Sequence, residues 1–97
     1  MNRLQNIHSG EILQEKFLDP FEITAYRLAK EIKIPQTRIS QILRGRRRIT
    51  ADTALRLSEF FGNSAQFWLG LQDDYDLEEE KIKIGDELSR IQRIKVS

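Results

Sequence analysis

The sequence predicts an all-α fold of five short helices followed by a charged C-terminal extension. Apolar residues recur at three- and four-residue steps along nearly all of the 97 residues. No segment sustains the period-two alternation of β-branched residues that a half-buried strand needs. Pro20, Pro35, Gly45 and Gly62 punctuate the pattern, leaving connections only a few residues long.

The first helix is expected over residues 9–18, with Ile12, Leu13, Phe17 and Leu18 on one face; it stops at Asp19 because a residue before proline avoids the α region. Thr24 is an N-cap for a second helix running to about residue 33, with Leu28, Ala29 and Ile32 turned inward. Pro35 pre-sets the backbone of a third helix whose buried stripe is Ile39, Ile42 and Leu43, and Gly45 suits the left-handed residue past its end. Thr50 caps a fourth helix, with Asp52 in its first turn and Ala54, Leu55, Leu57, Phe60 and Phe61 as its apolar side; Gly62 stops it. Ser64 caps a fifth, carrying Phe67, Trp68 and Leu71. Ile84, Leu88 and Ile91 keep helical spacing beyond Leu77, against the high charge and Gly85. Residues 1–7 read as a tail, 8–77 as one domain and 78–97 as an extension that is either helical or frayed.

Composition removes several function classes. With no cysteine there is no disulfide framework, thiolate metal site or cysteine nucleophile, which fits a reducing cytosol. No stretch approaches the roughly 20 apolar residues of a membrane span, and the first six residues hold no apolar run of a secretion signal, so the expected location is cytoplasmic. No phosphate-cradling glycine loop and no hydrolase or zinc-protease signature is present, so an enzyme and a bound cofactor are not expected. The acidic residues Asp73, Asp74, Asp76, Glu78, Glu79 and Glu80 lack the glycine turn and ligand spacing of a calcium loop, and read as a solvated face. The single histidine, His8, has no second ligand and is expected to begin the first helix.

The formal net charge of +1 conceals a separation. Between residues 36 and 50 the charged side chains are Arg38, Arg44, Arg46, Arg47 and Arg48, with no acid; between 72 and 80 all are acidic. The basic cluster coincides with two short helices joined around Lys33-Ile34-Pro35, the helix-turn-helix arrangement whose second helix enters the major groove. With Ile39, Ile42 and Leu43 buried, the outer face of that helix shows Gln36, Thr37, Ser40, Gln41 and Arg44. Amides can donate and accept together at adenine, and a threonine methyl packs on thymine. Gln36, Thr37 and Gln41 are therefore the expected base readers, with Arg38 and Ser40 at the margin. Arg44, Arg46, Arg47, Arg48 and the Thr50 hydroxyl are expected on phosphates, where they set affinity rather than sequence preference. An arginine cluster alone is equally compatible with a solvated loop, RNA or an acidic protein partner. The acid-free helix face is what favours double-stranded DNA.

Leu28-Ala29-Lys30, the run from Ile39 to Arg46, Ile49-Thr50 and Ala54-Leu55-Arg56-Leu57 resemble the XRE family of phage-repressor-like helix-turn-helix proteins. The flanks narrow the resemblance. His8-Ser9-Gly10-Glu11-Ile12-Leu13 is similar to the HPGEIL opening of HigA/VapI-type antitoxins, with Ser9 where proline is usual, and residues 67–77 are similar to their FWLxLQxxYDL element. The resemblance implies a homodimeric antitoxin that neutralises a HigB-type ribonuclease toxin and represses its own operon at a near-palindromic site; a solitary XRE-type regulator is the alternative. Dimerisation also follows from geometry, since one recognition helix reads only a few base pairs. Its expected surface is the C-terminal third, with Tyr75, Leu77 and Leu88 as contacts, and Ile82, Ile84, Ile91 and Ile94 either extending it or belonging to a frayed tail.

Overall fold

The computed structural model describes residues 6–95; within them every regular element is a helix, with no strand, and residues 89–95 continue past the last helix without regular structure. Helix α1 (Ser9–Ile12) widens directly into a π-helical segment, Leu13–Leu18. α2 (Ala25–Ile32), α3 (Gln36–Leu43), α4 (Ala51–Phe61) and α5 (Ala65–Leu88) follow. The widened turn has a consequence for packing. Five residues apart, Leu13 and Leu18 would diverge on a regular helix, yet both are buried here.

Local chemistry sets most of the boundaries. The Thr24 Oγ1 accepts the Arg27 N–H at 3.0 Å, and the Ser64 Oγ accepts the Phe67 N–H at 3.1 Å, each satisfying an amide that its helix leaves open. α2 ends at Lys33, whose left-handed φ of 62° turns the chain so that Ile34 drops back into the core. Pro35 stands one position earlier than a first helical residue, as the extended N-cap of α3. Gly45 (φ 73°) and Gly62 (φ 79°) close α3 and α4 as left-handed residues.

The core gathers Leu13, Leu28, Ile39, Ile42, Ile49, Leu57 and Trp68 from the π-helical segment, α2 to α5 and the loop before α4. The indole N–H of Trp68 still finds a partner, donating to the Asn63 Oδ1 at 2.9 Å. Two inward expectations fail. Leu55 is 59% exposed, because Thr53, Ala54, Leu57 and the half-buried Phe61 share the inner side of α4 and helical periodicity turns Leu55 well away from them. Phe67 is 40% exposed, its ring lying edge-on against Phe17 and Trp68 at the margin of the core.

α5 runs over 24 residues with a kink at Ile84 (φ −116°, ψ 17°), just before Gly85, so the charged extension begins as its continuation past Leu77 and bends there. Its second half carries Leu77, Ile82 and Leu88 exposed to solvent.

Candidate nucleic-acid interface

α3 is seated from behind by α2 and by α1. Its outer face presents Gln36, Thr37 and Gln41 exposed, with Arg38 and Ser40 half-buried at its edges. The three expected base readers thus stand on one open surface, and no acid lies among them.

The arginines divide into groups that the sequence treats alike. Arg38 is committed inward: its Nη1 lies 3.3 Å from the Asp52 Oδ2 at the start of α4. The same carboxylate receives the Arg56 Nε at 3.1 Å, and the Arg56 Nη1 donates to the Ile32 carbonyl at 2.8 Å. Asp52 and Arg56 therefore brace α3 and cap the exposed carbonyl end of α2, fixing the angle between the two helices. Arg38, expected at the margin of the base-reading face, is the residue of α3 that joins this brace. Arg44 and Arg46 are exposed and enter no ion pair among the described residues. Arg47 donates to the Gln41 Oε1 at 3.1 Å. Arg48, expected on phosphate, instead turns toward α5, 2.9 Å from the Asp76 Oδ2 and 3.8 Å from the Asp73 Oδ1. Part of the acidic face thus holds one arginine back from solvent-side partners. The Thr50 hydroxyl makes no capping bond, which leaves it and the first amides of α4 open at the end of the arginine loop.

Two further residues carry structural weight at this site with little signal in the sequence. Arg56 carries a local signal, an acid four residues before it on a helix, but its bond to the α2 carbonyl is invisible in one dimension. Gln72 sits four residues after Trp68, a polar side chain on an apolar stripe. Its Oε1 accepts both the Ser9 hydroxyl at 2.7 Å and the Ile49 N–H at 2.8 Å, and its Nε2 donates to the Asp76 Oδ1 at 2.9 Å. One buried amide ties α1, the arginine loop and α5 together.

Of the expected dimer contacts, Tyr75 is half-buried and spent within the chain: its ring packs edge-on against His8 at 4.8 Å and its carbonyl accepts the Asn6 amide at 3.0 Å. Leu77 and Leu88 are 61% and 43% exposed.

His8 does begin the first helix, its Nδ1 accepting the Gly10 N–H at 2.9 Å. Burial lowers its pKa from the ordinary 6.5, against the upward pull of the Asp76 and Glu11 carboxylates. The unfolded chain then takes up its proton at a higher pH than the folded one. The stability His8 contributes is complete above pH 6.5 and is lost as pH falls through the interval below it. Thermal melts from about pH 7 to 5 should show that decline. His8→Asn, which keeps a capping acceptor and does not titrate, should remove this component of it.

The helix-turn-helix family model matches residues 15–68. Virulence-associated protein I of Dichelobacter nodosus is 50% identical over 76 residues, 78% of this chain and 70% of that one. Antitoxin HigA-1 of Vibrio cholerae is 31% identical over 88 residues, 91% of this chain and 83% of that one. Among solved structures, the Pseudomonas aeruginosa antitoxin HigA with higBA promoter superposes with a TM-score of 0.89 at 37% identity, covering 94% of this chain and 100% of that one. Antitoxin GraA in complex with its operator gives 0.88 at 36%, covering 99% and 98%.

Proposed function

This chain belongs to the XRE-type helix-turn-helix family, and on that premise we propose that it is a sequence-specific DNA-binding antitoxin that represses its own operon and neutralises a ribonuclease toxin of the HigB type. The observation that carries DNA binding is the outer face of α3: Gln36, Thr37 and Gln41 exposed and acid-free, with the unpaired Arg44 and Arg46 at its far end. That face is backed by the Asp52–Arg56 brace, so the helix is presented rigidly. Solved relatives named as antitoxins with a promoter or an operator support the same reading. Toxin neutralisation rests on those names and on the HigA-1 likeness. The fold and family are those of DNA-binding regulators rather than enzymes.

The protein acts as a homodimer on a near-palindromic operator in the cytoplasm. Two recognition helices on a two-fold axis meet half-sites about 34 to 36 Å apart. The exposed Leu77 and Leu88 on the outer half of α5 supply the contact between protomers. No helix among the described residues is long and apolar enough to cross a membrane.

A mobility shift on the DNA upstream of the protein's own reading frame tests the reading. Gln36→Ala should cost about 1 to 3 kcal/mol on the preferred site and relax base preference there. Arg46→Ala should weaken every sequence alike and reduce the salt slope by about 0.9. If both variants bind like the wild type, α3 is not the reading helix. Co-expression with the product of the adjacent reading frame tests the second activity: neither complex nor growth rescue would leave a solitary regulator.

A further inference from the structure

The chain carries two exposed apolar surfaces that its own geometry keeps apart. One is aromatic and lies beside the start of α5. Phe21 and Phe67 are 62% and 40% exposed, and Phe17, Phe21, Ile23, Phe60 and Phe61 line an open cleft of about 410 Å³. Arg27 lines it too, so a group seated there must be apolar rather than cationic. The other surface is the arm past the far end of α5, residues 89–95, which has no regular structure. Its Ile91 and Ile94 are 71% and 81% exposed among Arg90, Arg93 and Lys95, and no acid follows Glu87. From Phe67 to Leu88 the helix rises about 30 Å, whereas an arm of this length spans at most about 24 Å. The arm therefore cannot fold back onto the patch of its own chain.

We propose that the two protomers exchange these arms: residues 89–95 of each lie along the partner's α5 and seat Ile91 and Ile94 on the partner's aromatic patch. This rests on the homodimer proposed above and adds what the C-terminal arm does in it. Leu77 and Leu88 stand about three turns apart and so share one stripe of α5. Two-fold symmetry makes a contact between Leu77 and the partner's Leu88 reciprocal, and sets the two helices antiparallel. Each arm then leaves Leu88 beside the partner's Leu77 and runs toward the partner's Phe67, about 15 Å along the helix and within its reach. Asp73 and Asp74, both exposed, flank the stripe on this path and meet the arm's arginines. A parallel pair would instead set those carboxylates beside their own copies and leave the arm without a partner.

Cysteine pairing in the full chain, which has no cysteine of its own, tests the exchange. Gln92→Cys lies in the arm and Gln66→Cys lies next to Phe67 on the Leu77 stripe, both at exposed positions. The two single variants are mixed, allowed to exchange subunits and oxidised. The expected main product is a covalent dimer joining one of each, with little of either variant linked to itself. In sedimentation, Ile91→Ser combined with Ile94→Ser should raise the dimer dissociation constant about tenfold or more, the scale of exposing buried aliphatic side chains, with the helical circular dichroism unchanged. Gln92→Cys linked chiefly to itself, no link in a protein that sediments as a dimer, or an unchanged dissociation constant overturns the arm exchange and leaves the dimer standing. A wild type that sediments as a monomer throughout overturns the homodimer itself, and this inference with it.

Discussion

Gly10→Ala should lower stability by about 3 kcal/mol or more, which for a domain of this size is a melting temperature roughly 10 to 20 °C lower. α1 crosses the end of α3 so closely that a Cβ on Gly10 would overlap the Ile42 carbonyl oxygen, with the Leu43 Cα 3.1 Å away. The obstacle is backbone, so no rotamer change relieves it. The Ile42 carbonyl is also held, accepting the Gly45 N–H that closes α3. α1 must therefore move, withdrawing Leu13 from the core and Ser9 from its bond to Gln72. Gly70→Ala is the control: a Cβ there meets nothing within 4 Å, and alanine is the better helix former, so stability should hold or rise slightly. Urea or thermal denaturation of the pair reads the difference. Equal stability of Gly10→Ala and wild type would mean that α1 does not rest on α3.

Features whose causes lie within one turn of helix were legible from the residues. Thr24 and Ser64 cap as their chemistry demands, Gly45 and Gly62 take the left-handed positions, and Gln36, Thr37 and Gln41 share an exposed face because 3.6-residue periodicity places them there. Features whose causes lie in a distant partner were not. Arg48 reads like its neighbours in sequence, and only the return of α5 brings Asp73 and Asp76 against it, 25 and 28 positions on. Arg38 is likewise claimed by Asp52 across the loop. Leu55 illustrates a different limit. Its apolar side chain suggests the inner side, but helical periodicity turns it roughly 100° past Ala54, the edge of the strip that α4 buries, and it stays in water. The π-helical Leu13–Leu18 turn has no distinct composition; it exists because both leucines find room in the same core.

Gln72→Met should destabilise by about 2 to 4 kcal/mol although it keeps side-chain length and adds no charge. The volume remains, so the loss comes from polar groups left unpaired. The Ile49 N–H is buried beside a fully buried isoleucine, and the Ser9 hydroxyl is buried against α5; both currently donate to the one Gln72 oxygen. Removing that oxygen leaves two donors without water or protein partners, each worth about 1 to 3 kcal/mol. Ser9→Ala in the Gln72→Met background removes one orphan, so it should cost little or restore part of the loss, whereas in the wild type it should destabilise. The consequence reaches the DNA face. Ile49 anchors the loop carrying Arg46, Arg47 and Arg48, and the Gln72 Nε2 steadies the Asp76 carboxylate that holds Arg48. Loosening that anchor should free Arg48 from α5 and add a mobile cation near the interface. Gln72→Met should therefore bind non-specific DNA at least as well as wild type, with a steeper salt dependence, while discriminating its operator less. Tight, fully selective operator binding by a destabilised Gln72→Met protein would show that the loop takes its shape from α3 alone and owes nothing to α5.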